Sequence, residues 1–188
     1  MKQAKTLTDA ELKKVIAFCH SRKYALRDQT MLYVSFYAGL RVMEIAGLLV
    51  GDVYDEQAQV RDRFLITGSQ TKGGYAREVY VNRKLKRALE NYQPVIEDRT
   101  QDQPLFCTQM GTAFSANSLC QLFLKLYADC GIKGASSHSG RRTFITKLAN
   151  TGVNVRLLAA LAGHRHISTT QRYIDVNDAQ LARAVELI

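Results

Sequence analysis

Leu12, Val15, Ile16 and Cys19 recur at helical spacing behind Thr8 and Glu11, a cap residue and its partner one turn on, so the pattern predicts a helix from about Asp9 to His20. From about Arg27 to Ala38 the chain is apolar on most sides (Met31, Leu32, Val34, Phe36), which predicts a central buried helix ended by Gly39. A short helix is expected from Arg41 to about Leu48. Then the period changes: Val60, Asp62, Phe64 and Ile66 alternate with Arg61, Arg63 and Leu65, and Arg77 to Val81 alternates likewise. The intervening GSQTKGG is a turn signal, so a β-hairpin or small meander is expected near residues 58–81. A basic helix from Asn82 to Asn91 and a loop-rich connection from Gln93 to Ala116 follow. Leu119, Leu122, Phe123, Leu126 and Cys130 make the clearest helical stripe, closed by Gly131. Ser137 or His138 opens the next helix, with Phe144, Ile145 and Leu148 inward and Gly152 at its end. Asn154 can cap another that runs to Gly163, and Ser168 a short one bearing Tyr173. Leu181, Ala184, Val185 and Ile188 form a narrow apolar stripe near the C-terminus. The expected class is α+β: one mostly helical domain over residues 1–188 with a small antiparallel hairpin.

Composition changes this picture in three ways. Lysine and arginine outnumber aspartate and glutamate by 26 to 17, a formal charge of +9, in a chain of 188 residues that is 46% apolar. Such an excess suits a polyanion, because each phosphate neutralised releases counterions. A membrane surface would call for a basic amphipathic helix or a lipidation signal, and neither is found. The cysteines Cys19, Cys107, Cys120 and Cys130 include no C-x-x-C pair and sit in apolar contexts, so reduced core thiols are expected rather than disulfides or zinc. No apolar leader and no run of about 20 apolar residues occurs, which points to a cytoplasmic, nucleoid-associated location.

Candidate chemistry concentrates between Ser137 and Tyr173. His138 and Arg141 are three residues apart and share a turn if a helix starts there. A guanidinium offers a planar fork to phosphate oxygens, histidines donate or shuttle protons, and a phenol can act as a nucleophile. His-x-x-Arg, then Leu-x-Gly-His ending at His164, then Tyr173 nine residues on, resembles the second box of the tyrosine recombinases, or phage integrase family. Upstream, AGLRVMEI supplies Arg41 and SQTKGGYAREVYV supplies Lys72. All six functional positions of that family are therefore occupied in order.

The resemblance implies a site-specific DNA recombinase in which Tyr173 attacks a phosphodiester and forms a 3′-phosphotyrosyl link, without metal or ATP. It implies that Arg41, Arg141 and His164 hold the phosphate, that His138 takes the phenolic proton, and that Lys72 protonates the departing 5′-oxygen. Glu44 can orient the Arg41 guanidinium or be a solvated partner one turn on. Arg77, Lys84, Arg142 and Arg172 are candidate DNA contacts, against the alternative of a solvated face. His164-x-His166 shows no third ligand, so no metal or other cofactor is expected. The partner is double-stranded DNA. The C-terminal stripe either folds onto its own core or docks on a neighbouring protomer of a tetramer. In place of the family's usual leucine before the second arginine stands Gly140, and the amino-terminal clamp domain of many relatives is expected to be absent. A type IB topoisomerase-like nicking and closing enzyme, and a catalytically silent DNA-binding module of the same fold, are the rival readings.

Overall fold

The computed structural model describes residues 3–71, 73–174, 181–182 and 185–186. In chain order the helices are α1 (Asp9–His20), α2 (Ala25–Tyr37), α3 (Val42–Ala46), α4 (Val50–Val53), α5 (Arg83–Tyr92), α6 (Ala116–Asp129), α7 (Ser139–Asn150), α8 (Val155–Ala162) and α9 (Ile167–Gln171). Strands β1 (Arg63–Ile66) and β2 (Arg77–Tyr80) lie between α4 and α5 and pair antiparallel, with Arg63 opposite Tyr80 and Ile66 opposite Arg77. The chain is mostly helical, with this one small ribbon among the described residues.

The helix starts follow from local chemistry. At α1 the Thr8 hydroxyl accepts from the Glu11 amide at 3.1 Å while the Glu11 carboxylate accepts from the Thr8 amide at 2.9 Å, which satisfies two orphan donors. Ser115 and Ser118 make the same reciprocal pair at α6, while the Asn82 and Asn154 side chains each accept one amide at the starts of α5 and α8. Apolar alternation sets the ribbon's faces, since Phe64, Ile66 and Val79 are buried while Leu65 and Tyr80 are exposed.

Two cores result. The larger gathers side chains from α1 to α6 around α2, whose neighbours are α1, α3, α5 and α7. The smaller consists of Ile145, Ala149, Leu158 and Ala162, with Phe144, Leu148, Val153, Tyr173 and Ile174 packed on it. This second core ties α7, α8 and the segment after α9 into one unit. The N-terminal segment closes over α7, with the Leu7 amide donating to Thr143 Oγ1 at 2.7 Å. All four cysteines are free, and burial pushes the Cys19 thiol up to about 12.

Two expectations need adjustment. The last short helix begins at Ile167 with His166 at its cap position, not Ser168, and Tyr173 lies two residues beyond its end. A five-residue helix shows too little periodicity to mark its own boundaries. The 50–53 helix was not expected, for the same reason. Of the C-terminal stripe, Leu181 and Val185 are exposed, at 55% and 68%, while Ala184 and Ile188 lie outside the described residues, as does Lys72.

Candidate active site

Arg41 sits at the N-cap of α3, immediately after the turn that leaves α2. That turn needs Gly39, whose φ is +63° and whose missing Cβ leaves room for the Phe144 ring, which an added carbon would meet at 2.4 Å. Glu44 is fully buried and accepts from the Arg41 amide and from Arg41 Nη1, both at 2.8 Å, and from Arg77 Nη2 at 2.9 Å. Burial pulls the Glu44 carboxyl upward. The guanidinium of Arg77, then Arg41, outweighs burial and holds it below the usual carboxylate range. One carboxylate thus stands between two cations.

Arg141, on α7, is 5% exposed. Its Nη1 donates to the Gly39 carbonyl at 2.7 Å and its Nη2 to the Ala162 carbonyl at 2.6 Å. Arg77 Nη1 donates to the Leu161 carbonyl at 3.1 Å. Leu161 and Ala162 close α8, so two guanidinium groups cap the negative end of that helix and take carbonyls it cannot satisfy itself. Gly163 makes this approach feasible: its φ is +62°, and an added Cβ would lie 2.2 Å from Arg77 Cδ. Burial, followed by the charge of Arg41, lowers Arg141 to about 9, still a cation at neutral pH.

His164 follows directly. Its Nδ1 lies 2.8 Å from Thr170 Oγ1, and its ring stacks on that of Tyr173 with centroids 5.9 Å apart. Burial, then Arg141, Arg41 and Arg77, holds the imidazole down at about 4, so it is neutral at physiological pH. The Arg142 guanidinium lies over the other partner of that stack, 5.6 Å from the Tyr173 centroid.

Arg41, His138, Arg141, Arg142, His164 and Tyr173 line one cavity of about 900 Å³. A second hollow, of about 580 Å³, shares Arg41 and His164 with it and opens toward the ribbon, where Thr71 and Gly73 flank the Lys72 position. His138 is exposed at the N-cap of α7. Arg172 is exposed at the end of α9. Lys84 is exposed on α5, 5.7 Å from the Tyr37 centroid, and lines neither cavity. Arg77 differs from the expectation of a surface contact: its side chain is 8% exposed and turned inward, because Glu44 and the end of α8 bind it there. Its inward turn, the hydroxyl of Thr170 and the carbonyls of Gly39, Leu161 and Ala162 carry no mark in the sequence. Among the described residues no group of three or more His, Cys, Asp or Glu side chains could hold a metal ion, and no helix is long and apolar enough to cross a membrane.

Residues 5–180 match the model of the phage integrase family. The chain belongs to that family. The family's tyrosine recombinase XerA from Pyrococcus horikoshii is 31% identical over 186 residues, which cover 97% of this chain and 60% of that protein. The chain thus spans about three-fifths of the length of this curated relative. The crystal structure of XerA recombinase superposes with a TM-score of 0.78 at 25% identity, covering 100% of this chain and 66% of that one. The integrase of the Tn1549 transposon, solved in complex with circular intermediate DNA, shares the fold with a TM-score of 0.76 at 22% identity, over 99% of this chain and 67% of that one.

Proposed function

We propose that this chain is the catalytic domain of a site-specific DNA recombinase and that its cavity is where a DNA strand is cut and rejoined. The observation that carries the reading is the meeting of Arg41, Arg141, His138, His164 and Tyr173 around one hollow of about 900 Å³, although residues 41 and 141 are far apart in the chain. Arg41 and Arg141 hold the non-bridging oxygens, where charge builds in the transition state. Both are oriented beforehand, one by Glu44 and the other by two backbone carbonyls. His164, neutral, adds a hydrogen bond to the same phosphate.

Tyr173 attacks phosphorus, and the bond to the 5′-oxygen breaks. His138 accepts the phenolic proton and Lys72 supplies one to the departing oxygen. The product is a 3′-phosphotyrosyl link and a free 5′-hydroxyl. Because the link retains the energy of the phosphodiester, attack by a 5′-hydroxyl reseals the strand without ATP, and because guanidinium groups meet the charge, the scheme calls on no metal. The partner is double-stranded DNA, with several copies of the chain assembled on it.

The test is a trap for the covalent intermediate. A pool of duplexes of randomised sequence, nicked so that the short 5′-hydroxyl fragment escapes and labelled at the 5′ end of the cut strand, is incubated with the chain and denatured. Label bound to protein is expected from the native chain and none from Tyr173→Phe. Equal labelling of both, or none with the native chain, would sink the reading.

A further inference from the structure

Thr170, on α9, is fully buried, and among the described residues the bond to His164 Nδ1 at 2.8 Å is the hydrogen bond its hydroxyl makes. A hydroxyl between two such groups can donate or accept. If it accepted from an Nδ1–H, its own proton would be left, among the described residues, with no acceptor in a buried setting, at a cost comparable to a lost hydrogen bond. The other arrangement satisfies the buried hydroxyl: it donates to an Nδ1 lone pair, and the ring carries its one proton on Nε2.

We propose that Thr170 is a positioning residue, whose hydroxyl donates to Nδ1 and so holds His164 as the Nε2–H tautomer with that N–H left for a phosphate oxygen in the cavity. The tautomer follows from the hydrogen-bond network alone, and only its use on a phosphate rests on the function proposed above. The surroundings agree with it. Three guanidinium groups oppose a second proton on the ring, so donation by His164 depends on which single nitrogen is protonated. The stack with Tyr173 sets the ring plane, and Thr170 chooses the edge. Tyr173 is itself joined to Thr170 through its amide, which donates to the Thr170 carbonyl at 2.9 Å. One residue therefore orients both the imidazole and the start of the segment bearing the phenol.

The experiment is a long-range proton–nitrogen correlation spectrum of the DNA-free chain with ¹⁵N-labelled histidine, His164 being assigned by its loss in His164→Gln. The expected result is a protonated Nε2 and an unprotonated Nδ1, kept in Thr170→Ser and lost to a tautomer mixture in the near-isosteric Thr170→Val. Covalent adduct formation should fall roughly ten-fold in Thr170→Val and recover in Thr170→Ser. A protonated Nδ1 in the native chain would overturn the proposal without any variant being needed. So would an unchanged tautomer in a folded Thr170→Val. Failure of the native chain to form an adduct would count against the proposed function and leave the tautomer assignment standing.

Discussion

His164 illustrates how a single side chain takes its properties from its neighbours. A histidine ordinarily titrates near 6.5, yet burial and the cations Arg141, Arg41 and Arg77 bring this one to about 4, with Glu44 opposing them only weakly. The sign of the linkage follows. Between 6.5 and about 4 the unfolded chain takes up a proton at this position and the folded chain does not, so acidification through that window favours unfolding. Above 6.5 both states are neutral, and this contribution no longer varies with pH. The His164 resonances are therefore expected to stay those of a neutral ring from pH 8 down to pH 5, and a charged ring above pH 6 would contradict the electrostatics described. Residue identity and spacing could name this histidine as a candidate. They could not show that the ring is neutral, because the groups that make it so come from α3, α7 and β2.

At the scale of elements, the contact between α2 and α7 explains why Gly140 stands before Arg141. A Cβ there would lie 2.4 Å from Ser35 Oγ, 2.9 Å from its Cβ and 3.1 Å from its carbonyl carbon. The two helices touch at this point, and the closeness seats Arg141 against Gly39. Gly140→Ala should destabilise the chain by about 1–3 kcal/mol in urea unfolding, as overpacking does elsewhere, and no loss would show that α7 can back away without cost. Ser35 Oγ is buried with no hydrogen-bond partner among the described residues, so Ser35→Ala should be neutral or stabilising and should offset part of that loss. The same contact marks the limit of what a one-dimensional pattern holds. The Thr8 and Glu11 box specified α1 to the residue, and twelve residues of apolar spacing made α6 plain. Ser35 and Gly140 are 105 positions apart, and neither looks unusual within its own helix. For the candidate site the division is similar. The candidate side chains stood out by type and interval, whereas the carbonyls that bind two of their guanidinium groups became visible only with the fold.

For the whole molecule the net charge of +9 matters through its placement. Arg41, Arg141 and Arg142 line the cavity and Arg172 is exposed at the end of α9, while Lys84 projects from α5 beside Tyr37. If duplex DNA lies across the cavity, affinity should fall steeply with salt, the logarithmic slope being close to 0.9 per phosphate neutralised. Arg172→Ala should reduce that slope by about one contact. An unchanged slope would place the duplex elsewhere, and Lys84→Ala reports in the same assay whether the α5 face reaches it. The cavity lining includes Cys120, packed on the larger core, and Tyr173, packed on the smaller, so a strand bound there would lie against residues anchored in both.

The cap at the end of α8 has one more consequence. Arg77 and Arg141 reach the Leu161 and Ala162 carbonyls from separate parts of the chain, and Glu44 joins a third. None of these bonds closes within a local segment, so in a growing or refolding polypeptide they form late. A ribosome-bound fragment that ends before α8 holds most of the cationic side chains and no pocket to aim them. Under the function proposed above, the ability to cut a DNA strand would then arrive only with completion of the fold.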